Sequence, residues 1–122
     1  MSTVILDEHR LTVRFEQTER LFVRRDHFTV DRAAILGAAV TDKPLRVPHG
    51  ARGGLSAAGL AKIGVWGLLG GVRQLVSVRR GRPALRLLLD PDRADGFSEL
   101  VVSVPDADRL AEALAPTGVS RR

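Results

Sequence analysis

The three histidines are the first residues to test for metal or acid–base chemistry, because the chain contains no cysteine. His9, His27 and His49 stand 18 and 22 residues apart, whereas metal-binding histidines usually include a close pair such as i, i+4. This spacing favours surface histidines, and we expect no metal site. The lack of cysteine also excludes disulfides and thiolate nucleophiles.

Two other stretches resemble ligand loops only in part. Residues 90–96 have aspartates at positions 1, 3 and 6 and glycine at 7, whereas a calcium-binding EF-hand needs acids at 1, 3 and 5 and glycine at 6. Gly59 and Gly64 have the spacing of a phosphate loop, but Val65 and Trp66 stand where lysine and a hydroxyl residue are required. We interpret the first stretch as a turn and the glycines as sites of bending and close backbone approach. We therefore predict no catalytic residues, no cofactor and no enzymatic activity.

Charge gives the clearest signal in the sequence. Residues 43–86 contain nine basic and no acidic residues, whereas residues 1–42 carry −1 and residues 87–122 carry −3, within a total of +5. Arg79, Arg80 and Arg82 flank a turn at Gly81, and arginines on adjoining strands can share its face. This pattern fits either a solvated hairpin or a contact surface for an anionic partner. The candidate binding residues are Arg46, Arg52, Lys62, Trp66, Arg73, Arg79, Arg80, Arg82 and Arg86.

Three classes of anionic partner fit such a surface. They are a protein, including self-association into a homo-oligomer, an anionic membrane surface, and nucleic acid. Four phenylalanines, one tryptophan and no tyrosine leave few rings for base stacking, so nucleic acid is disfavoured. Trp66 has two interpretations, a core residue or, with Leu68 and Leu69, an exposed anchor for an oligomer or membrane contact.

The elements that position these residues begin with short strands. Alternating apolar residues predict strands at 11–15, 21–23 and 28–31, and an apolar run at 35–40 predicts another with a bulge at Gly37. Periodicity fails between residues 41 and 71, where eight glycines and two prolines argue against a helix, and one or two short strands near 63–66 are expected.

Regular patterns return after residue 71. Residues 72–79, 85–89 and 97–104 read as a meander of three strands, joined by a turn at Gly81 and a polar loop at 90–96. Pro105 and Asp106 then favour a helix start and Pro116 a stop. We therefore predict a mostly β domain with a C-terminal helix at about 106–115.

Several segments carry a resemblance to a known fold. They are ERLFV (19–23) leading into 28–35, Gly50, Gly54, Gly59 and Gly64, RQLVSV (73–78) and VVSVPD (101–106). The chain resembles the pleckstrin-homology-like (PH-like) superfamily, and more closely the small bacterial PH-like domain proteins. The resemblance implies a bent antiparallel barrel of about seven strands capped by the C-terminal helix. The resemblance covers roughly residues 11–115, and a length of 122 residues fits one domain. We therefore expect an N-terminal extension at 1–10, a single PH-like domain at 11–116 and a basic tail at 117–122.

The same resemblance implies an interaction module, since bacterial relatives are regarded as such and some form rings. The expected first hairpin tip at 16–19 is acidic and the C-terminal helix lacks tryptophan, which disfavours lipid-headgroup binding of the PH type. Residues 1–7 lack the pattern of a signal peptide, and the apolar-leaning run 55–72 contains Lys62 and five glycines. We expect no integral membrane segment and a cytoplasmic location, with the inner membrane face as the site of any peripheral binding.

Overall fold

The computed structural model describes residues 2–47, 52–57, 59–67 and 72–114, with the side chains of Arg46, Arg52 and Ala57 outside this description. The strands are β1 Thr3–Leu6, β2 Arg10–Arg14, β3 His27–Asp31, β4 Ile35–Thr41, β5 Arg52–Ala57, β6 Ala61–Trp66, β7 Gln74–Arg79, β8 Ala84–Leu89 and β9 Glu99–Ser103. The α-helices are α1 Gln17–Val23 and α2 Ala107–Leu114, and 3-10 turns lie at Arg32–Ala34, Pro44–Arg46 and Pro91–Arg93.

The first sheet has three antiparallel strands in the order β1-β2-β3. Val13 pairs with Val4 on one side and with Phe28 on the other, so one apolar row crosses all three strands. The predicted strands at 11–15 and 28–31 are confirmed. Residues 3–6, assigned above to an N-terminal extension, instead form an edge strand of this sheet, while the predicted tail at 117–122 lies outside the described residues.

The second sheet has six strands in the order β4-β8-β9-β7-β6-β5. Strand β9 lies between β8 and β7 and pairs with β7 in parallel. The predicted meander is therefore wrong, because β7 and β8 are not neighbours. The reason lies in β9 itself, whose five residues are all buried, and a strand covered on both faces belongs at the centre of a sheet.

The two sheets pack face to face around the main core, and α2 covers part of the same layer. Buried side chains of the six-stranded sheet meet Phe28 and Val13 of the first sheet and Leu110 of α2. The mostly β class and the C-terminal helix are confirmed. In the described parts of the chain, however, the strands form two sheets and no closed barrel, so the expected barrel is corrected to two packed sheets.

Helix α1 replaces the strand predicted at 21–23. Leu21 and Val23 fit a period of two, but the start of the segment is capped as a helix: the Glu19 carboxylate accepts a 2.8 Å hydrogen bond from the Glu16 N–H. The predicted bulge at Gly37 and the strand near 63–66 are confirmed, by the register shift in β4 and by β6.

Glu19 also fixes α1 to the six-stranded sheet. Its side chain is buried, and Oε2 accepts hydrogen bonds from the hydroxyl of Ser2, at 2.7 Å, and from the hydroxyl of Ser77 on β7. With the Glu16 N–H, three donors surround a buried carboxylate that has no cation beside it among the described residues. These hydrogen bonds take the place of the water that burial removes.

Replacing Glu19 by alanine should therefore destabilise the protein strongly. The change leaves two hydroxyls and one N–H without their acceptor and removes buried volume, so we expect the free energy of unfolding to fall by about 2–4 kcal/mol. Urea denaturation measures this. The exposed Glu8→Ala should change it by less than about 0.5 kcal/mol, and equal effects of the two variants would contradict the assignment.

Candidate interaction site

The turn between β7 and β8 passes over the end of β9 and is held there by one serine. The Arg79 N–H donates to Ser103 Oγ at 3.1 Å, and the Ser103 hydroxyl donates to the carbonyl of Arg82 at 3.1 Å. The Arg82 N–H closes the turn on the Arg79 carbonyl at 3.2 Å, with Gly81 at φ 73°. The arginines at 79–82 therefore project from a fixed backbone.

Two other segments reach the same end of the sheet. The Arg80 N–H donates to the carbonyl of Leu60 in the β5–β6 turn at 2.8 Å, and Leu60 is 61% exposed. Thr41 pairs with Ala84, so Lys43 comes to the turn from the other side. We define the basic end as Lys43, Leu60, Arg79, Arg80 and Arg82. A concavity of about 280 Å³ in it is lined by Asp42, Lys43, Pro44, Leu45, Arg80 and Gly81.

The cations of the basic end form no ion pair with a described residue, and Asp42 is the one carboxylate among the residues that line the concavity. Lys43, Arg80 and Arg82 are exposed and Arg79 is half-buried. The ion pairs between two described residues lie elsewhere, so no described carboxylate lies within 4 Å of these four side chains. Their charge is therefore available to a partner.

Three predicted site residues instead serve the outer face of the six-stranded sheet. Lys62 Nζ donates to the carbonyl of Leu45 at 2.8 Å, and Arg86 pairs with the buried carboxylate of Glu99.

Trp66 is 4% exposed and packs in a second apolar cluster, as its interpretation as a core residue predicts. Leu68 and Leu69 lie outside the described residues. The cluster contains Trp66, Val76, Val78, Ala84 and Val101, with Leu45 and Val47 against it.

Sequence reasoning missed the polar network on this face. Gln74 and Glu99 are register partners on β7 and β9, and Gln74 Nε2 donates to Glu99 Oε1 at 2.8 Å and to the carbonyl of Val47 at 3.0 Å. Together with Lys62, this side chain holds the 3-10 turn that positions Lys43. The available signal in the sequence was a glutamine and a glutamate, each at the start of a strand whose next residues are apolar.

The remaining predicted residues lie apart from the basic end or outside the description. Arg73 precedes β7, roughly 20 Å along the strand from Arg79, and its guanidinium carbon lies 5.1 Å from the ring centroid of Phe97. Arg46 belongs to the 3-10 turn Pro44–Arg46 and Arg52 to β5, but their side chains are not described. The structure thus brings together Arg79, Arg80 and Arg82 of the predicted set and adds Lys43.

The glycines and aspartates have structural uses where they are described. A Cβ at Gly54 would lie 2.2 Å from the carbonyl oxygen of Ile63, so β5 and β6 need glycine to approach this closely. Asp90 Oδ1 accepts the Asp92 N–H at 3.1 Å, which forms the turn after β8. His9 and His27 are exposed, and His49 is outside the description. The described residues contain no group of three or more potential metal ligands.

Comparison of the chain with protein-family models, curated proteins and solved structures gave no match to any of them. The resemblance to PH-like proteins therefore stays a prediction. Among the described residues, neither helix has the length and apolar character that crossing a bilayer requires.

Ser103 gives a test of how the basic end is built. Ser103→Ala removes the acceptor of the Arg79 N–H and the donor to Arg82, so we expect a loss of about 1–2 kcal/mol in the free energy of unfolding and faster amide exchange at Arg79. Urea denaturation and hydrogen exchange by NMR measure both. Ser98→Ala serves as the control, and unchanged exchange at Arg79 in Ser103→Ala would show that Ser103 does not hold the turn.

Proposed function

We propose that this chain is a non-catalytic interaction module that contacts an acidic protein surface through the basic end. The observation that carries the proposal is the group of four cations without a described carboxylate within 4 Å, set around a turn that Ser103 fixes. Because the backbone is already ordered, binding needs to order only side chains, which lowers its entropic cost.

The chemistry of the surface favours a protein partner. Arginine presents a planar fork that matches a carboxylate in two hydrogen bonds. Leu60 lies beside Arg80, and Pro44 and Leu45 line the concavity, so the surface combines apolar side chains with arginine, which is enriched in protein interfaces. The partner that fits is a segment in which acidic and apolar residues are mixed.

Self-association fits this surface only in one arrangement. A two-fold contact would bring two basic ends together and place like charges against each other. A second copy would have to present a different, acidic surface, which gives a head-to-tail contact rather than a symmetric dimer. A homo-oligomer is therefore a special case of the proposed protein contact.

Peripheral binding to an anionic membrane is the second candidate. Leu60 is exposed at the tip of a turn and Arg80 is joined to it through a backbone hydrogen bond. An apolar tip flanked by cations can enter the headgroup layer of an anionic bilayer. Such binding would place the protein at the inner membrane face.

Nucleic acid has weaker support because the aromatic rings are occupied. Four of the five aromatic residues of the chain are buried in the cores and Phe22 is half-buried. Single-stranded nucleic acid is usually bound by stacking bases on exposed rings. The basic end could supply only contacts to phosphates.

The test compares two double variants with the same change in net charge. Arg80→Gln with Arg82→Gln alters the basic end, whereas Arg14→Gln with Arg93→Gln alters exposed arginines elsewhere. The probe is a labelled peptide rich in glutamate and leucine, titrated by fluorescence anisotropy. We expect the first variant to weaken binding at least about tenfold and the second less than about threefold at low salt.

Parallel measurements separate the candidates. Binding that is confined to phosphatidylglycerol vesicles would favour the membrane, and a size that grows with concentration in light scattering would identify a second copy as the partner. Absence of peptide and vesicle binding at about 50 mM salt, in a chain that stays monomeric, would overturn the proposal.

A further inference from the structure

Two arginines share one phenyl ring at the end of the six-stranded sheet opposite the basic end. The guanidinium carbons of Arg25 and Arg73 lie 5.2 Å and 5.1 Å from the ring centroid of Phe97. Phe97 is 1% exposed and meets Phe28 edge to face at 5.7 Å. Cation–π contact holds both guanidiniums against a buried, apolar surface.

The backbone fixes where these two side chains start. Arg25 follows the C-cap of α1, where Arg24 has φ 61°, and its neighbour Asp26 accepts the N–H of Phe15 at 2.9 Å. The carbonyl of Arg73 accepts the N–H groups of Ser98 and Glu99, at 2.9 Å and 3.3 Å. The pair of arginines is thus preorganised by elements that are distant in sequence.

The donors of this pair are largely unused within the described residues. Arg25 Nε is buried and has no hydrogen-bond partner there, and Arg25 Nη1 lies 3.5 Å from the Asp95 carboxylate, long for a hydrogen bond. The guanidinium of Arg73 has neither a hydrogen bond nor an ion pair with a described residue. Because Nε is buried while the Arg25 side chain as a whole is 32% exposed and Arg73 is half-buried, the donors that a ligand can reach are the terminal nitrogens of the two guanidiniums.

We propose that Arg25 and Arg73 form a binding site for a phosphate or diphosphate group. Each guanidinium supplies a planar fork of N–H donors that fits phosphate oxygens. Their guanidinium carbons are at most about 10 Å apart, a span that a diphosphate group with hydrogen bonds at both ends can cover. The buried Phe97 ring leaves no face for an aromatic ligand, so the site recognises the anion alone.

Asp95 is the built-in competitor of the ligand. Asp95 lies in the loop before β9, where its backbone has a φ of 53°. Its side chain is 72% exposed, and the carboxylate faces Arg25. An exposed ion pair of this kind contributes little to stability, so a phosphate group can displace it. The site is independent of the basic end, since β7 separates the two.

Isothermal titration calorimetry with pyrophosphate, and with inorganic phosphate as the smaller probe, tests the site at low salt. Arg73→Gln and Arg25→Gln should each weaken binding at least about tenfold. Arg93→Gln, an exposed arginine in the same part of the fold, is the control and should change binding less than about twofold.

A variant that binds phosphate more tightly provides a second test, which is needed if Arg25→Gln or Arg73→Gln does not fold. Asp95→Asn removes the competing charge, and asparagine tolerates the φ of 53° at this position. We expect binding about three- to tenfold tighter, whereas Asp92→Asn, with the same change of charge in the same loop, should have a smaller effect. Absence of binding by the folded wild-type protein, or equal effects of Asp95→Asn and Asp92→Asn, would overturn the proposal.

Discussion

The insertion of β9 between β8 and β7 is the constraint on which the rest of the structure depends. Because this strand occupies the centre of the sheet, the chain leaving β7 must cross over its end, and that crossing carries Arg80 and Arg82. Its last residue, Ser103, holds the crossing, and its first, Glu99, joins Gln74 and Arg86 on the outer face. Glu99 and Ser103 lie on the same face of β9, so this one strand organises both the outer face of the sheet and the turn at its end.

Much of the fold could be predicted from apolar periodicity, because strands such as β2 and β3 bury one face only. The order of strands could not, since a local pattern does not report which edges pair. Helix α1 was missed because Leu21 and Val23 fit a period of two, whereas in the helix Leu21 is exposed and Val23 is buried. The deciding contact, Glu19 with Ser77, joins residues 58 apart in sequence.

The sequence showed that residues 43–86 are rich in basic side chains, but it did not show which of them share one surface. Residues 43–86 contain no acid, yet Arg86 finds Glu99 across a strand pair, and Lys62 finds a backbone carbonyl. Partners of these kinds leave no trace in local composition. What separates Arg73 from Arg79 is the length of β7, and what joins Lys43 to Arg80 is the register of β4 with β8. The strand order and register therefore decide which cations have partners within the described chain and which remain available to a ligand.

The central position of β9 has a consequence for synthesis on the ribosome. Strands β7 and β8 emerge first, but the neighbour that completes both of them is made last and must enter the gap between them. Until residue 103 is available, the inner edges of both strands expose unpaired backbone groups. A nascent or truncated chain that ends before residue 99 thus lacks the strand that pairs with both edges, and unpaired strand edges favour aggregation.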